Sequence, residues 1–364
     1  MNKLRVCIVH EIANMSFHLA NGLRKAGHDV LVILDADKLG KTELLFSKEH
    51  IEGIQIHWVR KPKSRFSSIF LVQDLFRAIR RYRPHVVHVN YLWTHFFISA
   101  LAAKWIRAPV IGVAHGWDIL QIPRHPWRRW FQRRLLRLAD RVILTAKYFT
   151  NILDTLPARK QVYIPRVIDT TRFHPGIDTA DLNREYGKNI VTAVARLYES
   201  KAYDKLLNAF KIVVAKVPNA QLLIIGEGPE KNNLLKITNE LELDDNVHFL
   251  GKVPNRKIAY YLNAAKVEAH GFAMPALGIS HLEAMACSTP VVTYTGKERY
   301  EGVLSAYTIE EIAQSIVRVL REDDFAEELG QAALQYINEH YSLDVGVQKT
   351  LALYKEVLSE RNQM

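Results

Sequence analysis

Cysteine is nearly absent: Cys7 and Cys287 are the only two in 364 residues. A disulfide framework is thereby excluded, and both read as free buried thiols in a reducing compartment. No apolar run approaches the ~20 residues that a membrane-spanning helix needs. The opening Met-Asn-Lys-Leu-Arg-Val leads straight into a strand pattern, without a charged segment and a cleavable apolar stretch, so a cytoplasmic protein is expected. A nicotinamide-binding fingerprint is missing too. The first apolar run is followed by His10-Glu11-Ile12-Ala13-Asn14 and not by G-x-G-x-x-G, which disfavours a dehydrogenase. Neither an aspartate pair nor a His/Cys cluster stands at ligand spacing, so no metal and no other cofactor is expected. No nucleic-acid-binding module is recognisable, and nucleic acid is not expected as a partner.

What is present is basic and well able to fold. The net charge is +11 and 48% of residues are hydrophobic. The charge points to an anionic partner, and the length suits two domains. The first half alternates short buried-strand patterns with helical spacing. Strands are predicted at 4–10, 29–34, 54–59, 85–90, 109–114 and 141–145, with helices at 16–26, 71–83, 96–106 and 127–139 between them. The second half restarts the alternation at residue 190, after a seam around 165–189 rich in proline and glycine. This order predicts two α/β domains, each a doubly wound parallel sheet, with function in the turns after the strands.

Four such turns carry candidate chemistry. PALGISHLEAMACSTPVV (residues 275–292) contains an S-x-x-E capping box, Ser280 and Glu283, with Gly278 just before it. It reads either as a plain helix cap or as a helix N-terminus open to a diphosphate. VARLYESKAYD (194–204) sets Arg196 and Lys201 at a strand end, as solvated charges or as a grip on a departing diphosphate. AHGWD (114–118) offers His115 and Asp118, structural or facing a ligand. GEGP (226–229) lacks phosphate-loop spacing and reads as a turn.

Taken in order, KAGHDV, HVVHVN, HGWD, ADRVILTAK, IPRVIDTTRFHP, ARL, SKAYD, LLIIGEGPE, NVHFLGKVP and LEAMACSTPVV closely resemble family 4 of the retaining glycosyltransferases with the GT-B fold. The resemblance spans nearly the whole chain. It implies two Rossmann-like domains facing an interdomain cleft, with boundaries at 1–168 and 169–342 and a final helix in 343–364 crossing back to the first domain. It also implies a nucleotide-diphosphate-sugar donor and a glycan or lipid-linked acceptor. In that reading Arg196 and Lys201 hold the diphosphate, Glu283 binds the ribose, and the backbone of Leu277, Gly278, Ile279 and Ser280 cradles phosphate. His115 lies near the sugar, and Asn14 and Asp118 belong to the acceptor side.

The chain departs from the family at a telling place. The first of the two glutamates usual eight positions apart falls at Pro275, and Arg166-Val167 replaces the usual Asn-Gly of the linker. Two alternatives therefore accompany the transferase reading: an inactive nucleotide-binding relative, or a sugar-nucleotide epimerase. A stripe of arginines with Trp127 and Trp130, running from Arg124 to Arg141, is either a solvated face or a contact to an anionic membrane. A second basic cluster includes Arg77, Arg80, Arg81 and Arg83. Peripheral attachment to the inner face of the membrane is the expectation they raise.

Overall fold

In the computed structural model, residues 3–10, 13–35, 53–59, 68–92, 94–115, 136–146, 160–271 and 277–363 are described. They divide into two compact units, residues 1–167 with 343–364 and residues 168–342.

In the first unit the apolar runs become seven parallel strands: β1 (Arg5–His10), β2 (Asp29–Asp35), β3 (Gln55–Val59), β4 (Val86–Asn90), β5 (Val110–Ala114), β6 (Arg141–Leu144) and β7 (Gln161–Tyr163), in the order β3-β2-β1-β4-β5-β6-β7. The helices α1 (Ala13–Lys25), α2 (Ser68–Tyr82) and α3 (Thr94–Trp105) connect them. Alternation along β1 divides the core. Val6 and Ile8 pack with Phe17 and Leu23 of α1 on one face, while Cys7 and Val9 pack with Leu75, Ile79 and Phe96 on the other. Both faces are covered, as a parallel sheet requires. Helix ends follow local chemistry. Gly27, at φ 89°, donates to Arg24, and His28 donates to Leu23, so the Schellman pattern stops α1.

The second unit holds β8 (Ile190–Val194), β9 (Gln221–Ile225), β10 (Val247–Gly251), β11 (Val267–Ala269), β12 (Val291–Thr293) and β13 (Val303–Ser305), ordered β10-β9-β8-β11-β12-β13 and all parallel. Its helices are α4 (Ala180–Tyr186), α5 (Tyr203–Lys216), α6 (Lys231–Glu240), α7 (Ile258–Ala264), α8 (Ile279–Ala286), α9 (Ile309–Arg321) and α10 (Asp323–His340). The strand order reverses between β8 and β11, as it does between β1 and β4 in the first sheet. Crevices for ligands open at the carboxyl ends of such pairs.

The last helix, α11 (Leu343–Asn362), belongs to the first unit. Its Val347, Leu351 and Tyr354 complete the core that α1 covers. The Tyr354 hydroxyl meets Nδ1 of His88, on β4, at 2.7 Å with both groups buried.

Candidate active site

In the second unit the switch point is framed by three segments. The first follows β8. Ala195 donates to Ile225 and Leu197 to Glu227 at 3.2 and 3.0 Å, tying this loop to the turn after β9. That approach explains the glycines of GEGP. A Cβ on Gly226 would come within 1.9 Å of the Ala195 oxygen, and one on Gly228 within 2.1 Å of the Leu197 oxygen. The turn is thus a brace for the neighbouring loop. The braced loop presents Arg196, exposed and with its guanidinium 5.1 Å from the Tyr198 ring centroid. A short 3₁₀ turn, Glu199–Lys201, then carries the half-buried Lys201 to the start of α5. Ala202 takes φ 49°, a left-handed conformation that glycine would adopt with less strain.

The second segment is the entry to α8. The expected Ser280–Glu283 capping box does not form. The helix begins two residues earlier, with Gly278 as N-cap and His281 at the third helical position. His281 Nδ1 accepts the Gly278 N–H at 2.9 Å. One amide of the expected phosphate cradle is therefore already bonded within the protein. Leu277, Gly278 and Ser280 are half-buried, and Ile279 is exposed. Glu283 lies a turn further on. Burial pushes its carboxyl up to about 8, with Arg172 opposing the rise and Glu268 adding to it. Arg172, half-buried and stacked 5.2 Å from the Phe173 centroid, is the cation that Glu283 faces. Sequence reasoning gave Arg172 no role, although it stands in the TTRFHP segment that marks the family. Pro275 lies outside the described residues.

The third segment is β11 and its end. Glu268, His270 and His281, 13 positions apart in sequence at most, come together as a buried group whose ligand atoms lie within 4.8 Å of one another. The expectation that no such cluster exists is corrected here. The spacing hides it because β11 and α8 are separate elements that only the fold brings side by side.

In the first unit, His115 directly follows β5 and is buried. Its Nε2 pairs with Asn90 Oδ1 at 2.9 Å, its carbonyl accepts from Arg166 Nη2 at 2.8 Å, and Tyr91 packs on its ring at 4.6 Å between centroids. Burial, helped by Arg166 and His88, lowers its pKa to about 3, so it is a neutral imidazole. His88, Asn90, His115, Thr145 and Arg166 line a small pocket of about 60 Å³ at the carboxyl end of this sheet. Asn14 sits in α1, and its side chain, like Asp118 and the arginines up to residue 135, lies outside the described residues. Arg141, the end of the expected membrane stripe, is corrected. Its side chain is 11% exposed and pairs with Glu356 and Glu360 of α11 at 2.8 and 2.5 Å. Its charge is neutralised by these two partly exposed carboxylates.

A basic pocket does open at the opposite, amino-terminal end of the sheet. Arg5, Arg80, Arg83, Arg107 and Arg361 line it beside Trp105, which is 70% exposed. No helix among the described residues is long and apolar enough to cross a membrane.

Two units, each a parallel doubly wound sheet, define a protein of the GT-B fold class. Residues 12–172 match the family model described as Glycosyltransferase Family 4, and residues 177–336 match the one described as Glycosyl transferases group 1. The chain belongs to the GT-B glycosyltransferases of family 4. It is 22% identical to the alpha-monoglucosyldiacylglycerol synthase of Acholeplasma laidlawii over 98% of this chain and 96% of that one. It is 28% identical to a GDP-mannose-dependent alpha-(1-6)-phosphatidylinositol monomannoside mannosyltransferase of Mycolicibacterium smegmatis over 72% of each. Its fold matches that of Anabaena Alr3699/HepE, solved with UDP and glucose, with a TM-score of 0.79 over 97% of this chain and all of that one, at 18% identity.

Proposed function

We propose that this glycosyltransferase moves a sugar from a nucleotide-diphosphate donor to a lipid-linked or glycan acceptor, with retention at the anomeric carbon. The observation that carries the reading is the convergence of Arg196, Lys201 and the α8 N-terminus on one switch point of the second unit. Two cations and free helix amides suit the charge that grows on a leaving diphosphate. Glu283, beside Arg172, supplies an acceptor for the ribose hydroxyls. The same reading gives the neutral His115 a hydrogen bond to the transferred sugar and assigns Asn14 and Asp118 to the acceptor side.

The step needs no protein nucleophile. The bond between the anomeric carbon and the diphosphate oxygen breaks, and the acceptor oxygen bonds the same face. The acceptor proton passes to the departing phosphate oxygen. The relatives favour transfer over the epimerase and the inactive-subunit readings, and the diacylglycerol and phosphatidylinositol names among them favour a lipid-linked acceptor. The basic pocket around Arg80, Arg83 and Trp105 suits the headgroup region of an anionic membrane.

The test is a panel of UDP- and GDP-sugars with diacylglycerol and phosphatidylinositol acceptors in anionic vesicles, the product configuration read by NMR. An α-linked product from an α-linked donor is expected. An inverted product, or folded protein that turns over none of the donors, overturns the proposal.

A further inference from the structure

Glu268 is wholly buried in β11, beneath the entry to α8. A buried carboxylate demands compensation. His270 Nε2 supplies part of it, 2.6 Å from Glu268 Oε1. His281 Nε2 stands 3.7 Å from Oε2, beyond hydrogen-bond range but near enough for its N–H dipole to face the carboxylate. Ser280 also helps hold the carboxylate in its ionised form. Burial pushes the Glu268 carboxyl up, but the two histidines outweigh it and hold it below the usual carboxylate range. It is therefore ionised.

The ring of His281 links this charge to the helix start. Its Nδ1 accepts the Gly278 N–H at 2.9 Å, which needs a free lone pair on that nitrogen. A neutral His281 thus carries its proton on Nε2, the nitrogen that faces the carboxylate. The His₂Glu composition also resembles a zinc ligand set. Two observations oppose an ion. A metal-bound imidazole donates its second N–H, whereas His281 Nδ1 receives one. Lys201 also lies near enough to disfavour positive charge on His281, and it would repel a dication equally.

We propose that Glu268 is a positioning residue: by holding His281 as its Nε2–H tautomer, it keeps the Gly278 amide turned inward and sets which amides of α8 meet the donor. Gly278 serves the fold, and the amides of Ile279 and Ser280 are left for the diphosphate. This rests on the donor-site reading above. It also gives β11 a part in the site that no residue of the usual glutamate pair supplies.

The tautomer is read directly by long-range proton–nitrogen NMR on histidine-labelled full-length protein. The expected result at about pH 7 is a protonated Nε2 and a bare Nδ1 on His281. UDP and GDP are the probes for affinity. Glu268→Gln removes the charge that faces His281 Nε2 and frees the ring to change tautomer, and it is expected to weaken the nucleotide that binds by about tenfold, the effect of misdirecting one amide at the diphosphate. His281→Asn retains an acceptor for Gly278 that does not depend on Glu268, so adding Glu268→Gln to it should change affinity less than about twofold. Equal losses in both backgrounds would reduce Glu268 to a structural role and overturn the proposal. An Nδ1–H tautomer in the wild type overturns it, as does one equivalent of Zn²⁺ whose binding His281→Asn abolishes. If the wild type shows the expected tautomer yet binds neither nucleotide, the donor-site reading fails and the relay stands.

Discussion

Arg166 donates from Nη2 to the carbonyl oxygen of His115 at 2.8 Å, tying the last residues before the unit boundary to the end of β5. The family's usual linker residue at this position is asparagine. The longer arginine reaches across to the loop after β5 and also helps keep the His115 ring neutral. Arg166→Ala removes a charge-assisted bond, and a loss of about 1.5–3 kcal/mol in stability is expected from denaturant titration. Turnover should fall as well, because the His115 ring is less firmly placed. Unchanged turnover in folded Arg166→Ala would mean that this bond serves the fold alone.

Glu283 sets a pH dependence of known sign. Its carboxyl is pushed up to about 8 from an ordinary 4.5. Between those values the folded chain holds a proton that the unfolded chain has released. The stabilising contribution is thus complete below about 4.5 and is lost as pH rises through about 8. Glu283→Gln should therefore be more stable than the wild type at pH 8.5 and no more stable at pH 4.5. The gap should be of order 1–2 kcal/mol, since the group keeps some solvent access. Thermal midpoints across that range decide it; a gap that widens toward acid would reverse the assigned shift.

Much of this was legible in the sequence. The β8 to β12 alternation, the switch-point turns and the positions of Arg196, Lys201 and Glu283 follow from apolar runs of strand length and from ordered motifs. What escaped notice is short or non-local. β7 and β13 are short edge strands that are only partly buried, so they lack the core-facing residues that mark the equally short but fully buried β11 and β12. Ser280 and Glu283 fit the local pattern of a capping box, whereas the N-cap is Gly278, whose N–H is held by a histidine that faces a glutamate on a neighbouring strand. Arg141 looked like a surface charge because its partners, Glu356 and Glu360, lie more than 200 positions away.

The Tyr354–His88 bond anchors α11 to the first sheet, and both partners are buried. Tyr354→Phe keeps the ring packing and leaves a buried imidazole nitrogen without its donor, so a cost of about 1–3 kcal/mol is expected. Burial also lowers the His88 pKa to about 3. A depressed histidine pKa stabilises the fold above the unfolded value near 6.5 and loses that contribution as pH falls through about 3. The acid midpoint of the first unit, followed by tryptophan fluorescence, should therefore move toward neutral pH in Tyr354→Phe. A mutant as stable as the wild type at pH 7 and pH 4 would show that the bond contributes nothing net.

Arg196 and Arg141 offer a paired test of which arginines serve chemistry. Arg196 is exposed and touches only the face of Tyr198 among its described aromatic contacts. Its removal should cost under about 0.5 kcal/mol of stability, as for other surface substitutions. If it neutralises the leaving diphosphate, Arg196→Ala should still lower turnover by about 10²–10³, the range for deleting one preorganised stabiliser of transition-state charge. Arg141 is the converse. Its guanidinium is 11% exposed, but the glutamates of α11 that it pairs with are 56% and 47% exposed, so Arg141→Ala should cost about 1 kcal/mol or less, as for other solvent-screened pairs. Turnover per folded molecule should stay near wild type, because the first sheet's ligand pocket lies at another strand end. Denaturant curves and steady-state rates on both variants separate the two roles. A fall in rate for Arg196→Ala that merely tracks lost folded protein would return that residue to the solvated charges of an ordinary loop.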